Sequence, residues 1–206
     1  MDPKALYSLS YGVFVLATRT KDKMNGCITN TCMQVASNPN KIAIAVINQN
    51  LTCEMIKESK VFTISILEQK TSFDTIKYYG MQSGRDVDKF FGDFINIGGV
   101  DVPYLSWSSC SLLACHVTEM HDLGSHTLFI AELDDAIKLS DNAPLTYAYY
   151  QSNIKPKPKA PTLDKKIIGW RCRICGFVYE GATLPEDYLC PLCGHDASDF
   201  EPIFED

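Results

Sequence analysis

The sequence predicts a mainly β fold with helical insertions, a β-barrel joined to a small metal-binding module near the C-terminus. Three observations carry this. Over residues 1–152, short strand-like runs alternate with shorter helical ones, the pattern of a barrel with helical connections. A Lys/Pro-rich stretch over 153–166 then interrupts all regular structure. Two tight CxxC pairs follow it within residues 167–206.

Asp2 followed by Pro3 reads as an N-cap and first-turn pair opening a short helix through Leu9. Tyr11–Thr18 reads as a buried strand. Asn25-Gly26 reads as a turn leading into a second strand towards Val35. Ile42–Ile47 is apolar on both faces, which suits a central strand. Asn50–Ser59 reads as a helix, and Val61–Leu67 returns to strand, with Phe62, Ile64 and Ile66 alternating. Thr71-x-x-Asp74 is a helix-start signal. Later strands fit Leu112–Glu119 and Thr127–Leu139. No internal repeat is visible.

Pro156, Pro158 and Pro161 exclude helix and sheet from the segment 153–166, and its five lysines keep it solvated. It reads as an extended linker able to reach roughly 40 Å at about 3.1 Å per residue. Beyond it, residues 167–206 carry only Arg171 and Arg173 against eight acidic residues. An acidic module thus hangs on a basic tether.

Composition narrows the function. The chain has 206 residues, 46% hydrophobic and 21% charged, enough apolar material for a packed core. Its longest aliphatic run, Ile42–Ile47, is far shorter than the roughly 18–20 residues of a spanning helix, so no membrane association is expected. The net charge of −6 argues against nucleic acid as a partner. Met1-Asp2-Pro3-Lys4 has no basic region followed by an apolar stretch, so no secretory signal is expected. Nine cysteines, five of them scattered (Cys27, Cys32, Cys53, Cys110, Cys115), point to a reducing cytoplasm, with the paired four holding a metal. The scattered five read as small buried hydrophobes.

The strongest motif is Trp170-Arg-Cys172-Arg-Ile-Cys175-Gly176-Phe-Val-Tyr179, followed by Cys190-Pro191-Leu-Cys193-Gly194. This C-x2-C-x14-C-x2-C spacing makes two knuckles whose four thiolates meet in a tetrahedron, chemistry that suits iron or zinc and excludes hard oxygen-loving cations. Spacing does not choose between the two metals, and a structural zinc ribbon is the alternative. The residues around the knuckles, including Trp170, Val178, Tyr179 and Phe200, resemble rubredoxin. The gap of 14 residues is closer to the shortened rubredoxin-like domain of rubrerythrins. The resemblance implies one iron held by Cys172, Cys175, Cys190 and Cys193.

Residues 1–152 lack G-x-G-x-x-G, a Walker A loop and a nucleophile elbow, so Rossmann and P-loop nucleotide sites are unsupported. His116, His121 and His126 lie near expected strand ends, in no obvious triad. Yet Leu9-Ser-Tyr11-Gly12, Asn25-Gly26-Cys-Ile-Thr29-Asn30-Thr31, Gln34-Val35-x-Ser37-x-Pro39 and Ala45-Val-Ile-Asn48-x-Asn50-x-Thr52 follow one another in order. Ser83-Gly84-Arg85-Asp86-x-Asp88-Lys89-Phe90, Gly124-x-His126-Thr127 and Pro144-Leu-Thr-Tyr147-Ala-Tyr149-Tyr150 come next. Together they resemble the flavin reductase-like family with an FMN-binding split barrel. The resemblance implies a homodimer with FMN near the subunit interface.

Laid onto this chain, Thr29, Asn30 and Thr31 suit the flavin's polar edge and ribityl chain, or form a plain polar strand end. Asn48 and Thr52 bracket a helix entrance suited to the FMN phosphate; there Asn50 or Thr52 also fits a simple N-cap. Ser83, Gly84 and Arg85 offer a hydroxyl, close backbone approach and a cation, or form a charged turn. His126 is placed near the isoalloxazine or nicotinamide as the candidate catalytic residue. Tyr149 is placed to stack on the flavin or to close the subunit interface, with helix packing as its alternative.

The combination resembles high molecular weight rubredoxins. It implies a cytoplasmic oxidoreductase passing electrons from NAD(P)H through FMN to an iron tetrathiolate centre and on to a flavodiiron O2/NO reductase. The alternatives are a flavoredoxin-like carrier reduced by a separate reductase, and a zinc-ribbon interaction module on a flavin-binding barrel.

Overall fold

The computed structural model describes residues 3–91, 93–156 and 166–205. They divide into two compact units, Met1–Lys155 and Pro156–Asp206. Asp2 and most of the Lys/Pro segment lie outside the described residues.

In the first unit a 3-10 helix, Pro3–Ser8, precedes β1 (Phe14–Arg19), β2 (Met24–Thr29), β3 (Cys32–Ser37) and β4 (Asn40–Ile47). Then come α1 (Leu51–Ser59), β5 (Val61–Leu67), α2 (Phe73–Gly80), β6 (Phe94–Ile97) and β7 (Val100–Pro103). Two long strands, β8 (Ser109–Asp122) and β9 (His126–Lys138), and a helical tail, Tyr147–Tyr149 running into a π-helix at Tyr150–Ile154, complete it. Seven strands form an antiparallel sheet in the order β2-β1-β5-β8-β9-β4-β3, while β6 and β7 pair separately.

That order explains the barrel. The terminal strands β2 and β3 are separated in sequence by only Asn30 and Thr31, so the sheet has to roll until its ends meet. They meet without pairing, leaving a seam at Thr29–Thr31. The interior is filled by Phe14 and Leu16 of β1, Ile42, Ile44 and Val46 of β4, Phe62 and Ile64 of β5, and Phe129 of β9, all buried. Helix α1 seats Cys53 and Ile56 in the same cluster and packs against β1, β2 and β4. The other face of β1 (Val13, Val15, Ala17) is covered by Ile76 and Tyr79 of α2, Phe90, Leu145 and Tyr150.

Three sequence expectations are corrected. Asn25-Gly26 is no turn but lies mid-strand in β2, opposite Thr18 and Ala17. Gly26 is needed there for space: a Cβ would stand 2.6 Å from the Phe90 ring and 2.7 Å from the Leu16 carbonyl oxygen. The cap of α2 is Ser72, whose hydroxyl accepts from the Thr75 N–H at 3.3 Å, rather than Thr71. His116 lies well inside β8, away from either end of that strand, and pairs with Val61 at the start of β5 and with Glu132. By contrast, α1 begins after Asn50, whose side chain accepts from the Thr52 N–H at 3.1 Å, and β5 spans Val61–Leu67 as read from sequence.

The second unit is a three-stranded sheet in the order β11-β10-β12: β10 (Ile167–Cys172), β11 (Val178–Glu180) and β12 (Phe200–Phe204). Among the described residues no helix is long and apolar enough to cross a membrane.

Candidate metal centre and flavin-binding site

The four paired cysteines converge. Their sulfurs all lie within 4.8 Å of one another, with Cys172 3.6 Å from Cys193 and Cys175 3.4 Å from Cys190. Metal–sulfur bonds of about 2.3 Å place tetrahedral thiolates roughly 3.8 Å apart, so the cluster has the size of a metal site. Each knuckle repeats one pattern of backbone bonds. Gly176 N–H donates to the Cys172 carbonyl at 2.9 Å, and Gly194 N–H to the Cys190 carbonyl at 2.8 Å. Both glycines have positive φ, +79° and +74°, which lets the chain fold beneath the sulfurs. Cys172 N–H donates to the Phe177 carbonyl and Cys190 N–H to that of His195, closing the two loops.

Backbone donors aim at the sulfurs. The Cys193 thiol beside Cys172, with the N–H groups of Cys175 and Ile174, brings the Cys172 thiol down to about 5. Cys193 is pushed up by the same contact. One thiol is thus already disposed to be a thiolate, which is the form a metal takes. The centre is shielded by Trp170, Ile174, Phe177, Tyr179, Leu184 and Tyr188. Tyr188 meets Tyr179 and Phe200 edge-on, at 4.7 and 5.5 Å. Cys172 and Cys190 are buried, while Cys175 and Cys193 are half-buried. This is a four-cysteine metal site with no open position.

In the barrel unit the sequence-predicted residues fall into separate groups, one of them around the first turn of α1. Asn25, Cys27 and Thr29 alternate along β2 and so share one face. Asn25 Nδ2 donates to the Thr52 hydroxyl at 3.0 Å, and the Cys27 thiol lies against Thr52 and Asn50. Gly84 packs on Asn25 so closely that any Cβ would overlap its amide. Arg85 reaches Glu54 of α1 at 2.6 Å, while its N–H donates to the Ser83 hydroxyl. Thr52, Ser83, Gly84 and Arg85 are therefore neighbours, although about 30 residues separate them.

Asn48 and His126 form a second group at the end of β4. Asn48 donates through Nδ2 to the Gly124 carbonyl at 2.8 Å and to Asp122 at 3.2 Å, and its Oδ1 accepts from Thr127 at 2.5 Å. His126 pairs with Ile47, and its Nδ1 lies 2.8 Å from the Ser125 hydroxyl. Cys53, 3.9 Å from Asn48 Oδ1, connects this group to the α1 turn. Thr29, Asn30 and Thr31 occupy the barrel seam, with Thr31 donating to Asn30 at 3.1 Å. Tyr149 packs instead against the cluster of Val13, Val15 and Leu145 on the outer face of β1.

Sequence reasoning passed over Asn25, Glu54 and the side chain of Lys89. The pairing of Asn25-Gly26 with a turn hid the first. Lys89, a lysine only 4% exposed, carried no signal beyond its place in the Ser83–Phe90 motif. The set suits a phosphorylated, hydroxyl-rich ligand: a helix N-terminus, the Ser83 and Thr hydroxyls and the Arg85 cation can donate, and the buried Asn25 Oδ1, an acceptor, has no hydrogen-bond partner among the described residues.

Comparison with known proteins agrees with this division. The flavin reductase like domain model matches residues 6–158, and the rubrerythrin, rubredoxin-like domain model matches residues 170–201. A high molecular weight rubredoxin from Moorella thermoacetica is 35% identical, covering 98% of this chain and 100% of that protein. A ferric-chelate reductase (NAD(P)H) from Archaeoglobus fulgidus is 34% identical over 78% of this chain and 94% of its own length. An FMN-binding protein from Thermus thermophilus shares the fold, with TM-score 0.62 and 19% identity over 77% of this chain and 92% of that one. Matched end to end by such a relative and carrying a flavin reductase-like domain followed by a rubredoxin-like one, the chain belongs to the high molecular weight rubredoxins.

Proposed function

We propose that this protein is an NAD(P)H-dependent electron-transfer oxidoreductase. Electrons would enter at an FMN in the barrel unit, pass to an iron ion in the Cys172–Cys175–Cys190–Cys193 site, and leave to a partner such as a flavodiiron O2/NO reductase. The observation that carries the reading is the union, in one chain, of a flavin reductase-like domain and a closed four-cysteine site. When bound, FMN supplies the exchange between hydride pairs and single electrons that joins a nicotinamide to a one-electron metal.

The remaining roles belong to the chain. Thr52 at the α1 entrance, Ser83, Gly84 and Arg85 would hold the phosphate, with Asn48 beside them. Thr29, Asn30 and Thr31 at the seam would meet the polar flavin edge. His126, oriented by Ser125, would stand at the reacting edge. A homodimer through the barrel unit is part of the proposal. Cys172, Cys175, Cys190 and Cys193 would hold the ion with no ligand position left over, so a bound iron would supply one-electron exchange and no substrate binding. Backbone N–H groups on the sulfurs and the aromatic shield would tune its potential. The tether would hold the two units at roughly millimolar effective concentration.

The test is metal analysis with an anaerobic visible spectrum before and after NADH or NADPH. Iron, flavin absorbance and bleaching of both by the nicotinamide alone are expected. Stoichiometric zinc in a protein without iron colour overturns the relay. Bleaching only after a separate reductase is added replaces it with a flavoredoxin-like carrier.

A further inference from the structure

After α2, residues 81–90 run as a strap against β2, and this strap carries Ser83, Gly84 and Arg85. Its outer portion is held by the packing of Gly84 on Asn25 and by a surface ion pair, Arg85 to Glu54, with both partners of that pair about half exposed. Such a pair contributes little by itself. The strap's return is anchored differently. Lys89 is 4% exposed, and its ammonium donates to two main-chain carbonyls, Gly26 of β2 and Tyr79 of α2, each at 3.0 Å. Phe90 follows directly, lying over Gly26 and 5.2 Å from the Tyr79 ring. Tyr78 adds a hydrogen bond to the Asp88 carbonyl at 3.1 Å.

A buried ammonium is costly unless it is well bonded, and these two carbonyls come from the elements on either side of the strap. One is the strand carrying Asn25, on which Gly84 rests; the other is the last turn of the helix from which the strap departs. Removing the charge leaves both carbonyls short of a buried donor and frees the strap at its base.

We infer that Lys89 is the positioning residue of the phosphate cradle: its ammonium latches the 81–90 strap to β2 and α2, and so sets Ser83-Gly84-Arg85 against the first turn of α1. This rests on the reading of that cradle as the FMN site. The Lys89 ammonium bonds to main-chain carbonyls and takes no part in the chemistry.

The experiment compares Lys89→Met, Lys89→Arg and Val102→Ala in the full-length protein. Met keeps the apolar stem and removes the charge. Val102, buried in a separate cluster with Val61 and Ile97, supplies a destabilised control away from the strap. Two readouts are taken: amide hydrogen exchange over 81–90 in flavin-free protein, and FMN affinity with turnover at saturating FMN. Lys89→Met is expected to lose exchange protection in the strap and to weaken FMN binding by about tenfold or more, the usual effect of removing a supporting contact. Its turnover at saturating FMN stays near that of the parent, Lys89→Arg recovers part of the affinity, and Val102→Ala retains both strap protection and affinity.

Unchanged strap protection in Lys89→Met overturns the latch. Equal loss of affinity in Val102→Ala overturns its specificity. Should the parent protein bind no FMN, the flavin reading fails and the cradle role falls with it, whereas the exchange result still reports on the latch separately.

Discussion

Gly84 has no side chain because Asn25 occupies the space a Cβ would need, and the strap's contact with β2 depends on that closeness. Gly84→Ala is expected to lift the strap, costing about 1–3 kcal/mol of stability and weakening FMN binding by roughly tenfold. Equilibrium unfolding with flavin titration checks this, and metal content should be unaltered. Burial acts on several other residues here. It pushes the thiols of Cys27 and Cys115 up and that of Cys32 up to about 12, and it carries the Tyr79 hydroxyl to about 12. In the unfolded chain such a thiol ionises near 9, so from there to about 12 the folded form holds protons that the unfolded form has lost. Stability is therefore present below about pH 9 and falls as pH rises through this window. Lys89 works in the opposite sense, because burial lowers its affinity for a proton, but it stands against the raised Cys27, Cys32, Cys53 and Cys115 thiols and the Tyr79 hydroxyl. Urea midpoints from about pH 8 to 11 should decline, and Cys32→Val should make the decline shallower.

Helix α1 serves two ends at once. Its inner face, Cys53 and Ile56, fills the barrel, and its first turn gathers Asn25, Asn48, Thr52 and Arg85 through Glu54. Asn50 fixes where that turn begins, so Asn50→Ala is expected to cost about 1 kcal/mol, measurable as a lower unfolding midpoint. At the centre of the same cluster Phe62 is fully buried, and Phe62→Ala is expected to cost about 3–5 kcal/mol by leaving a void. Much of this element structure was legible in the chain. Alternation of Phe62, Ile64 and Ile66 marked β5, and Asn50 marked α1. Asn25-Gly26 misled because the dipeptide normally signals a turn, whereas here the glycine is required by Phe90, a residue far along the chain. No local pattern carries that information.

At the level of the whole molecule the two units are separate folds with separate cores. Cys175→Ser is accordingly expected to abolish electron delivery to an acceptor while leaving FMN content unchanged; flavin and metal analysis of the same preparation checks it. The metal site needed only its sequence: each CxxC-Gly knuckle is built from bonds between residues at most five apart, so spacing alone implies convergence of the sulfurs. The cradle is the opposite case. Thr52, Gly84 and Asn25 come from α1, the strap and β2, and Asn48 meets Gly124 across 76 residues. The amino-acid sequence by itself determined the tetrathiolate centre, the β-rich class of the first unit and the place of its helices, because local periodicity and short-range spacing encode these. Only the tertiary structure decided that β2 and β3 close a barrel, that Asn25 faces α1 and that Lys89 lies buried beneath the strap, since strand order and long-range packing depend on the whole sheet closing around one core.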